Sequence, residues 1–171
     1  GNGLPKYTFG FNFTLGYKGF DLSANFTGAA GFQIAQSYRD PSGSQGNYSH
    51  RILGRWTGEG TTNEMPRVTY GDVGNWLFSD LYLQDGDYIR LQNLTLGYDF
   101  KKLISWKGLS KLRLYFQVQN LFTLTKYDGM DPEIGSYNGT DGNSSDSWVS
   151  GVDMGYYPHP RTFIVGVNVA F

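Results

Sequence analysis

The sequence predicts an all-β protein, and in particular a stretch of a transmembrane antiparallel β-barrel. Its 171 residues include 24 glycines, 13 tyrosines, 12 phenylalanines and 4 tryptophans, a composition that disfavours helices and favours strands joined by turns. Apolar residues recur at every second position over eleven or more residues, whereas strands of globular proteins usually have about five or six. Short links also alternate with long polar loops, as in membrane barrels.

Two strands open the chain and are predicted to pair as an antiparallel hairpin. Residues 6–17, "KYTFGFNFTLGY", place aromatic or aliphatic residues on one face and mostly Thr, Gly and Asn on the other. A tight connection at Lys18 and Gly19 follows. The same alternation then continues as far as Ile34, so we expect one continuous strand over residues 19–35.

The third and fourth strands are predicted at residues 87–100 and 111–124. Apolar residues of the third strand change parity between Leu91 and Leu94. A one-residue bulge near Gln92–Asn93 would return both halves to the same face. The polar positions of these two strands should face the wet lumen of a barrel, and they are Arg90, Arg113, Tyr115, Gln117 and Gln119.

The last predicted strand covers residues 161–171, "RTFIVGVNVAF". Its apolar residues share one parity and should form a lipid-facing row, namely Phe163, Val165, Val167, Val169 and Phe171. Between the strands lie two long polar loops, at about 36–86 and 125–159. If the short links lie on the periplasmic side, the long loops are extracellular and the C-terminus is periplasmic.

Aromatic residues fall near both predicted membrane interfaces, as expected of the aromatic girdles of barrels. The outer set is Tyr7, Tyr88 and Tyr127, and the inner set is Tyr17, Tyr98, Phe100 and Phe171. Five strands cannot close a barrel, since the smallest bacterial barrels have about eight. We therefore expect the chain to be the last part of a larger barrel.

Several segments, taken in order, resemble the C-terminal end of the SusC/RagA-type TonB-dependent outer-membrane transporters. They are "YKGFDLSANFTGAAG", "RWTGEGTTNEMPRV", "DGDYIRLQNLTLGYDF", "LRLYFQVQNLFTLTKYDGMDPEIG" and "YYPHPRTFIVGVNVAF". The most specific are "NLFTLTKYDGMDPE" and "YPHPRTF". The resemblance covers nearly the whole chain. It implies that this chain is the last five strands of a 22-stranded barrel in the outer membrane of a Gram-negative bacterium.

The same resemblance implies a function and a set of partners. The function is energy-coupled import of glycans or peptides, with a SusD-like surface lipoprotein as lid. The TonB complex would engage the protein through an N-terminal part absent from this sequence, and the remaining strands of the barrel and an N-terminal plug domain would be further partners. The terminal aromatic, Phe171, also resembles the C-terminal signal read by the barrel assembly machinery.

Catalytic and metal-binding patterns find little support in the sequence. The two histidines, His50 and His159, lie in loop contexts outside any zinc-protease motif, and there is no nucleophile elbow or P-loop. Residues 141–146, "DGNSSD", lack the full calcium-loop pattern. We predict no cofactor and no metal, and the net charge of −1 gives no pull on nucleic acid.

Aromatic residues of the long loops are the better candidates for substrate contact, because aromatic faces pack against sugar rings. They are Trp56, Trp76, Tyr137 and Trp148. These side chains could instead pack the loops together or contact the lid protein. Two other classes of protein stay open at this point: a soluble carbohydrate-binding β-sandwich, whose strands also alternate, and a passive porin-type channel.

Overall fold

The computed structural model describes residues 1–36, 50–69, 79–104, 106–134 and 151–171. Over these ranges the chain is all-β, as predicted, with 3₁₀ helices at His50–Gly54, Asp80–Tyr82 and Phe100–Lys102. The strands are β1 (Tyr7–Tyr17), β2 (Phe20–Ala30), β3 (Gln33–Gln36), β4 (Leu83–Asp85), β5 (Tyr88–Asp99), β6 (Lys111–Thr125), β7 (Val152–Asp153) and β8 (Thr162–Ala170). None of the described residues belongs to a helix with the length and apolarity needed to cross a membrane.

The chain divides into two compact units. The large-sheet unit comprises Pro5–Gly31, Gly86–Lys126 and Tyr157–Phe171, and the small-sheet unit comprises Gly1–Leu4, Phe32–Asp85 and Tyr127–Tyr156. The large-sheet unit holds a five-stranded sheet in the order β1-β2-β5-β6-β8, with every neighbouring pair antiparallel. The small-sheet unit holds three strands in the order β4-β3-β7.

A two-residue turn joins β1 to β2. Lys18 and Gly19 both have positive φ, at 47° and 97°, as the type I′ turns of tight hairpins require. Glycine adopts this conformation without strain, whereas Lys18 does so at some cost. The turn fixes a hairpin register that runs without a shift from Tyr17–Phe20 to Tyr7–Ala30.

The prediction of one continuous strand over residues 19–35 was wrong. Strand β2 ends at Ala30, Gly31 takes a φ of 79°, and β3 begins at Gln33 in the other sheet. Because the apolar alternation runs straight through Gly31, periodicity alone gave no sign of the break. The long predicted loops also contain regular structure, since β4 and β7 lie within them.

The register of the large sheet shifts at one level in β5 and β6. Asn93 pairs with Asn25 and Leu91 with Phe26, so Gln92 is an extra residue relative to β2 and the predicted bulge is confirmed. Strand β6 has one further residue at the same level, where Asn120 has a φ of 52°. The apolar residues therefore align across the strands on both sides of the shift.

The two faces of the large sheet differ sharply in composition. One row, for example, runs Leu15–Leu22–Leu96–Phe116–Val165, and the next runs Thr14–Ser23–Thr95–Gln117–Ile164. Large side chains of the apolar face are exposed, including Phe11, Phe116 and Val165. A contiguous exposed apolar face of this kind marks an interaction surface, either with lipid or with further protein.

The small sheet is built around β3. Its neighbours are antiparallel β4 and parallel β7, and Ile34 at its centre is completely buried. Buried polar side chains accompany it, among them Gln36, Asp131 and Asp153. This unit therefore has an ordinary protein interior, although a polar one.

Candidate functional site

The polar face of the large sheet is the candidate functional surface. Pairing registers place all five predicted lumen-facing residues on this face: Arg90, Arg113, Tyr115, Gln117 and Gln119. Strand β6 supplies four of them at every second position, and Arg90 joins them from β5 through its pairing with Thr123. Alternation within the strands is therefore what gathers these side chains.

Arg113 and Asp21 form a two-pronged ion pair across this face. The Nε of Arg113 donates to Oδ1 of Asp21 at 2.8 Å, and its Nη2 donates to Oδ2 at 2.5 Å. Strand β5 separates their strands, so the guanidinium crosses directly over Gly97. A Cβ at Gly97 would lie 2.5 Å from both partners, hence only glycine leaves room for the pair.

Tyr115 lies flat against the sheet beside this pair. It pairs with Gly166 of β8, where an added Cβ would come within 2.3 Å of the tyrosine ring. The guanidinium carbon of Arg113 is 5.0 Å from the centre of that ring, within cation–π range. The two glycines thus let a charged group and an aromatic ring lie along the polar face, where they hold each other in place.

Amide side chains occupy the middle of the polar face. Asn25 donates to Asn12 across the first hairpin, and Gln117 donates to the Oδ1 of Asn93 at 3.4 Å. Above the bulge, the Nε of Arg90 donates to the Oγ1 of Thr123 at 3.0 Å. Neutral donors and acceptors therefore follow one another across the strands, a chemistry suited to hydroxyl or amide groups of a passing solute.

A second cluster of polar contacts lies in the small-sheet unit and was not predicted as a group. The hydroxyl of Tyr127 donates to Oδ2 of the buried Asp153 at 2.5 Å, while Oδ1 accepts from the backbone N–H groups of Gly155 and Tyr156. Tyr127 is itself buried, so the expectation that it belongs to an exposed outer girdle was wrong.

The neighbours of Tyr127 in sequence tie the same unit together. Asp128 accepts from the side chain of Gln36 at 2.8 Å, and its backbone N–H donates to Gln84 at 3.0 Å. Asp131 accepts from the backbone N–H of Glu133, as expected of a structural turn residue. The signal in the sequence was the segment "YDGMDPE", in which Tyr127 and Asp128 bind side chains of the small-sheet unit.

The aromatic candidates for substrate contact are only partly visible. Trp56 is half-buried and its backbone N–H donates to the carbonyl of Met65 at 2.9 Å. Trp76, Tyr137 and Trp148 lie outside the described residues, as does the 141–146 segment. Across the ranges that the structure does describe, no three histidine or acidic side chains group together as metal ligands.

Comparison with known proteins decides the family. No protein-family model matches the chain. TonB-dependent receptor P3 of Formosa agariphila is 36% identical over 173 residues, an alignment that covers 100% of this chain and 17% of that receptor. TonB-dependent receptor SusC of Bacteroides thetaiotaomicron is 28% identical over 166 residues, with 95% of this chain and 15% of SusC covered. The chain belongs to the SusC/RagA type of TonB-dependent receptors.

Solved structures agree on the fold. The RagAB peptide importer in its closed-closed state matches with a TM-score of 0.73 at 24% identity, over 99% of this chain and 18% of that chain. The open-open state gives 0.71 over 98% of this chain and 17% of that chain. The chain thus spans about one sixth of the length of the SusC/RagA-type receptors it matches, and the predicted family is confirmed.

Proposed function

We propose that the chain forms part of the wall of a TonB-dependent outer-membrane importer. The observation that carries this proposal is the exposed apolar face of the large sheet, opposite a face of paired polar side chains, in a SusC/RagA-type sequence. Lipid surrounds the apolar face and water fills the lumen on the other side. A barrel arranges its strands in this way because each successive side chain points to the opposite face.

The polar face contributes to the transport path. Gln117 and Gln119 present amide groups to the lumen, while Arg90 is buried against Thr123 and the Arg113–Asp21 pair keeps its charges neutralised by each other. The wall therefore binds solutes weakly and without a strong net field, which suits passage of glycans or peptides. Trp56, with Trp76, Tyr137 and Trp148 of the extracellular loops, supplies aromatic contacts to substrate.

Other parts of the whole protein supply capture and energy. The name of the RagAB peptide importer and the kinship with SusC support a SusD-like surface lipoprotein as partner, and the receptors' names support coupling to TonB. The C-terminus lies in the periplasm, and the apolar residues Phe163 to Phe171 form the signal for the barrel assembly machinery.

Single-cysteine labelling of the full-length protein in outer membranes tests the wall assignment. This segment contains no cysteine, so each introduced thiol can be read separately once any elsewhere have been removed. We expect Gln117→Cys to react with a water-soluble maleimide. Phe116→Cys, its immediate neighbour, should react only with a lipid-soluble reagent. Equal labelling of both thiols from the aqueous phase would favour a soluble sandwich.

Uptake by cells tests the energy coupling. Accumulation of labelled oligosaccharides or oligopeptides should stop when TonB is deleted and resume when it is restored. Uptake that continues at the same rate without TonB would instead identify a passive channel.

A further inference from the structure

We propose that the short-link end of the large sheet carries a docking surface for the headgroups of anionic phospholipids. The inference rests on the proposed function, because it takes this end to meet the periplasmic leaflet of the outer membrane. We call the surface the lysine–tryptophan patch. It consists of Lys18, Lys101, Leu103, Trp106 and Lys107.

The described residues of the link between β5 and β6, 100–104 and 106–110, make several hydrogen bonds. Asp99 caps the 3₁₀ turn by accepting from the backbone N–H of Lys101 at 2.9 Å. The Nζ of Lys101 donates to the carbonyl of Trp106 at 2.7 Å, and the N–H of Ser110 donates to the carbonyl of Ala170 in β8 at 2.8 Å. These bonds hold the described residues of the link at the end of the sheet.

The link turns large apolar side chains outward. Leu103 is 68% exposed and Trp106 is 61% exposed, whereas Leu109 is buried and anchors the link. The ring of Trp106 packs edge-on against Phe171 at 6.5 Å between centres. Indole rings prefer the headgroup level of a membrane, where one edge is apolar and the N–H stays wet.

The patch is strongly basic. Residues 99–107 contain three lysines and a single acidic residue, Asp99, whose carboxylate already caps the turn. Lys18 adds a fourth charge from the adjacent turn, which is held close by a 2.8 Å bond from the Asp99 N–H to the Gly19 carbonyl. Long lysine side chains can reach the phosphates while their stems lie on apolar surface. The excess of positive charge favours anionic over zwitterionic headgroups.

Continuity with the apolar face favours a lipid over a protein as the occupant. Phe20 packs on Tyr98 at 4.4 Å, and Tyr98 packs on Phe100 at 4.9 Å, so an aromatic run leads from the strand ends into the link. A phospholipid can place its chains along the apolar rows and its phosphate among the lysines at the same time. A protein partner would leave the adjoining apolar rows to be covered by something else.

Lipid titration of the delipidated full-length transporter tests the inference. Native mass spectrometry would follow binding of phosphatidylglycerol and, separately, phosphatidylcholine. We expect Lys18→Gln with Lys107→Gln to weaken phosphatidylglycerol binding about 25-fold, since each lysine near an anionic surface contributes about fivefold. The matched control is Lys6→Gln with Lys126→Gln, which removes two exposed lysines from the other end of the same sheet and should change the affinity less than twofold.

Two results would overturn the inference: equal weakening by both pairs of substitutions, or equal affinity for the two lipids in the unsubstituted protein. High salt should weaken the binding in the unsubstituted protein and have less effect after the Lys18 and Lys107 changes. Cell fractionation separates this inference from the proposed function. A protein absent from the outer membrane fails the proposed function, whereas one that is present but indifferent to phosphatidylglycerol fails only the lipid site.

Discussion

Strands β2 and β3 follow each other in the sequence with the same alternation of apolar residues, yet they belong to sheets with different surfaces. In the large-sheet unit many large apolar side chains are exposed, as at Phe20 of β2, which is 54% exposed, and at Val167 of β8, which is 56% exposed. In the small-sheet unit the apolar Ile34 is completely buried and is joined by buried polar side chains such as Asp153. Period two therefore identifies a strand face, but it does not say whether lipid or protein covers that face.

The difference also shows in how polar groups are held. On the large sheet, polar side chains pair across strands on an accessible face, as Arg113 does with Asp21. In the small unit, Asp153 satisfies a tyrosine hydroxyl and two backbone N–H groups inside the protein. Substitutions should accordingly act through cavities in the small unit, and through lipid contact or crowding in the large sheet.

The largest effect is expected from Ile34→Ala. Removing a fully buried side chain leaves a cavity and should cost about 4 kcal/mol of local stability. Hydrogen exchange of β3 and β4 amides in the full-length protein would measure it. Val165→Ala, on the exposed apolar face, should cost less than about 1.5 kcal/mol because lipid chains fill the space. A similar loss of stability for Ile34→Ala and Val165→Ala would show that the two units do not differ in how their apolar side chains are covered.

Next in size is Val167→Arg on the apolar face of β8. A charge near the middle of a lipid-facing strand should destabilise the protein by roughly 2–4 kcal/mol or block its assembly. Urea titration of folding into bilayers provides the measurement. The adjacent Asn168→Ser should be nearly silent, since Asn168 points to the other face; equal responses would show that the faces are assigned wrongly.

A smaller loss is expected from Gly97→Ala on the polar face. Its added methyl group would meet the Arg113–Asp21 pair at 2.5 Å, and since these are the ends of flexible side chains that can move aside, the cost should be about 1 kcal/mol. The control is Gly10→Ala on the same face, where the nearest atom to an added Cβ is 3.8 Å away. Thermal unfolding in detergent would compare them, and an unchanged midpoint for Gly97→Ala would remove the packing role of this glycine.

The smallest effect should come from the ion pair itself. Both side chains are partly exposed to water, so a double-mutant cycle with Asp21→Asn and Arg113→Gln should give a coupling of about 0.5–1 kcal/mol. The coupling should shrink at high salt. Ser23→Ala, the next polar-face substitution along β2, should be neutral. A coupling of several kcal/mol would mean that this face is shielded from water.

Much of the large sheet could be predicted because its face pattern is a direct product of strand geometry. Gln92 was predictable as a bulge because the apolar residues change parity around it. The polar-face residues, such as Gln117 and Gln119, followed from the same alternation. What they bind did not follow, since polarity is required of any residue facing a wet lumen.

Other features were invisible for identifiable physical reasons. The break at Gly31 leaves the parity unchanged, so β2 and β3 read as one strand. Tyr127 and Asp153 are 26 residues apart, and nothing local in either segment indicates that they meet. The close approach at Gly97 depends on the rotamer of Arg113 on a neighbouring strand, which a one-dimensional pattern does not contain.

The irregularity of β6 at Asn120 determines which insertions and deletions this sheet can accept in related sequences. Relative to β2, strand β5 has one additional residue at that level and β6 has two. One added residue reverses the parity of the apolar positions along the strand, which is visible in the sequence. Two added residues restore that parity, so the sequence shows no change. Insertions and deletions here should therefore be accepted in pairs, because losing a single residue from β6 would turn Phe122 and Leu124 toward the polar face. Related sequences should therefore differ in length at this level by two residues at a time. An alignment that places a single-residue gap in β6 would assign its side chains to the wrong faces.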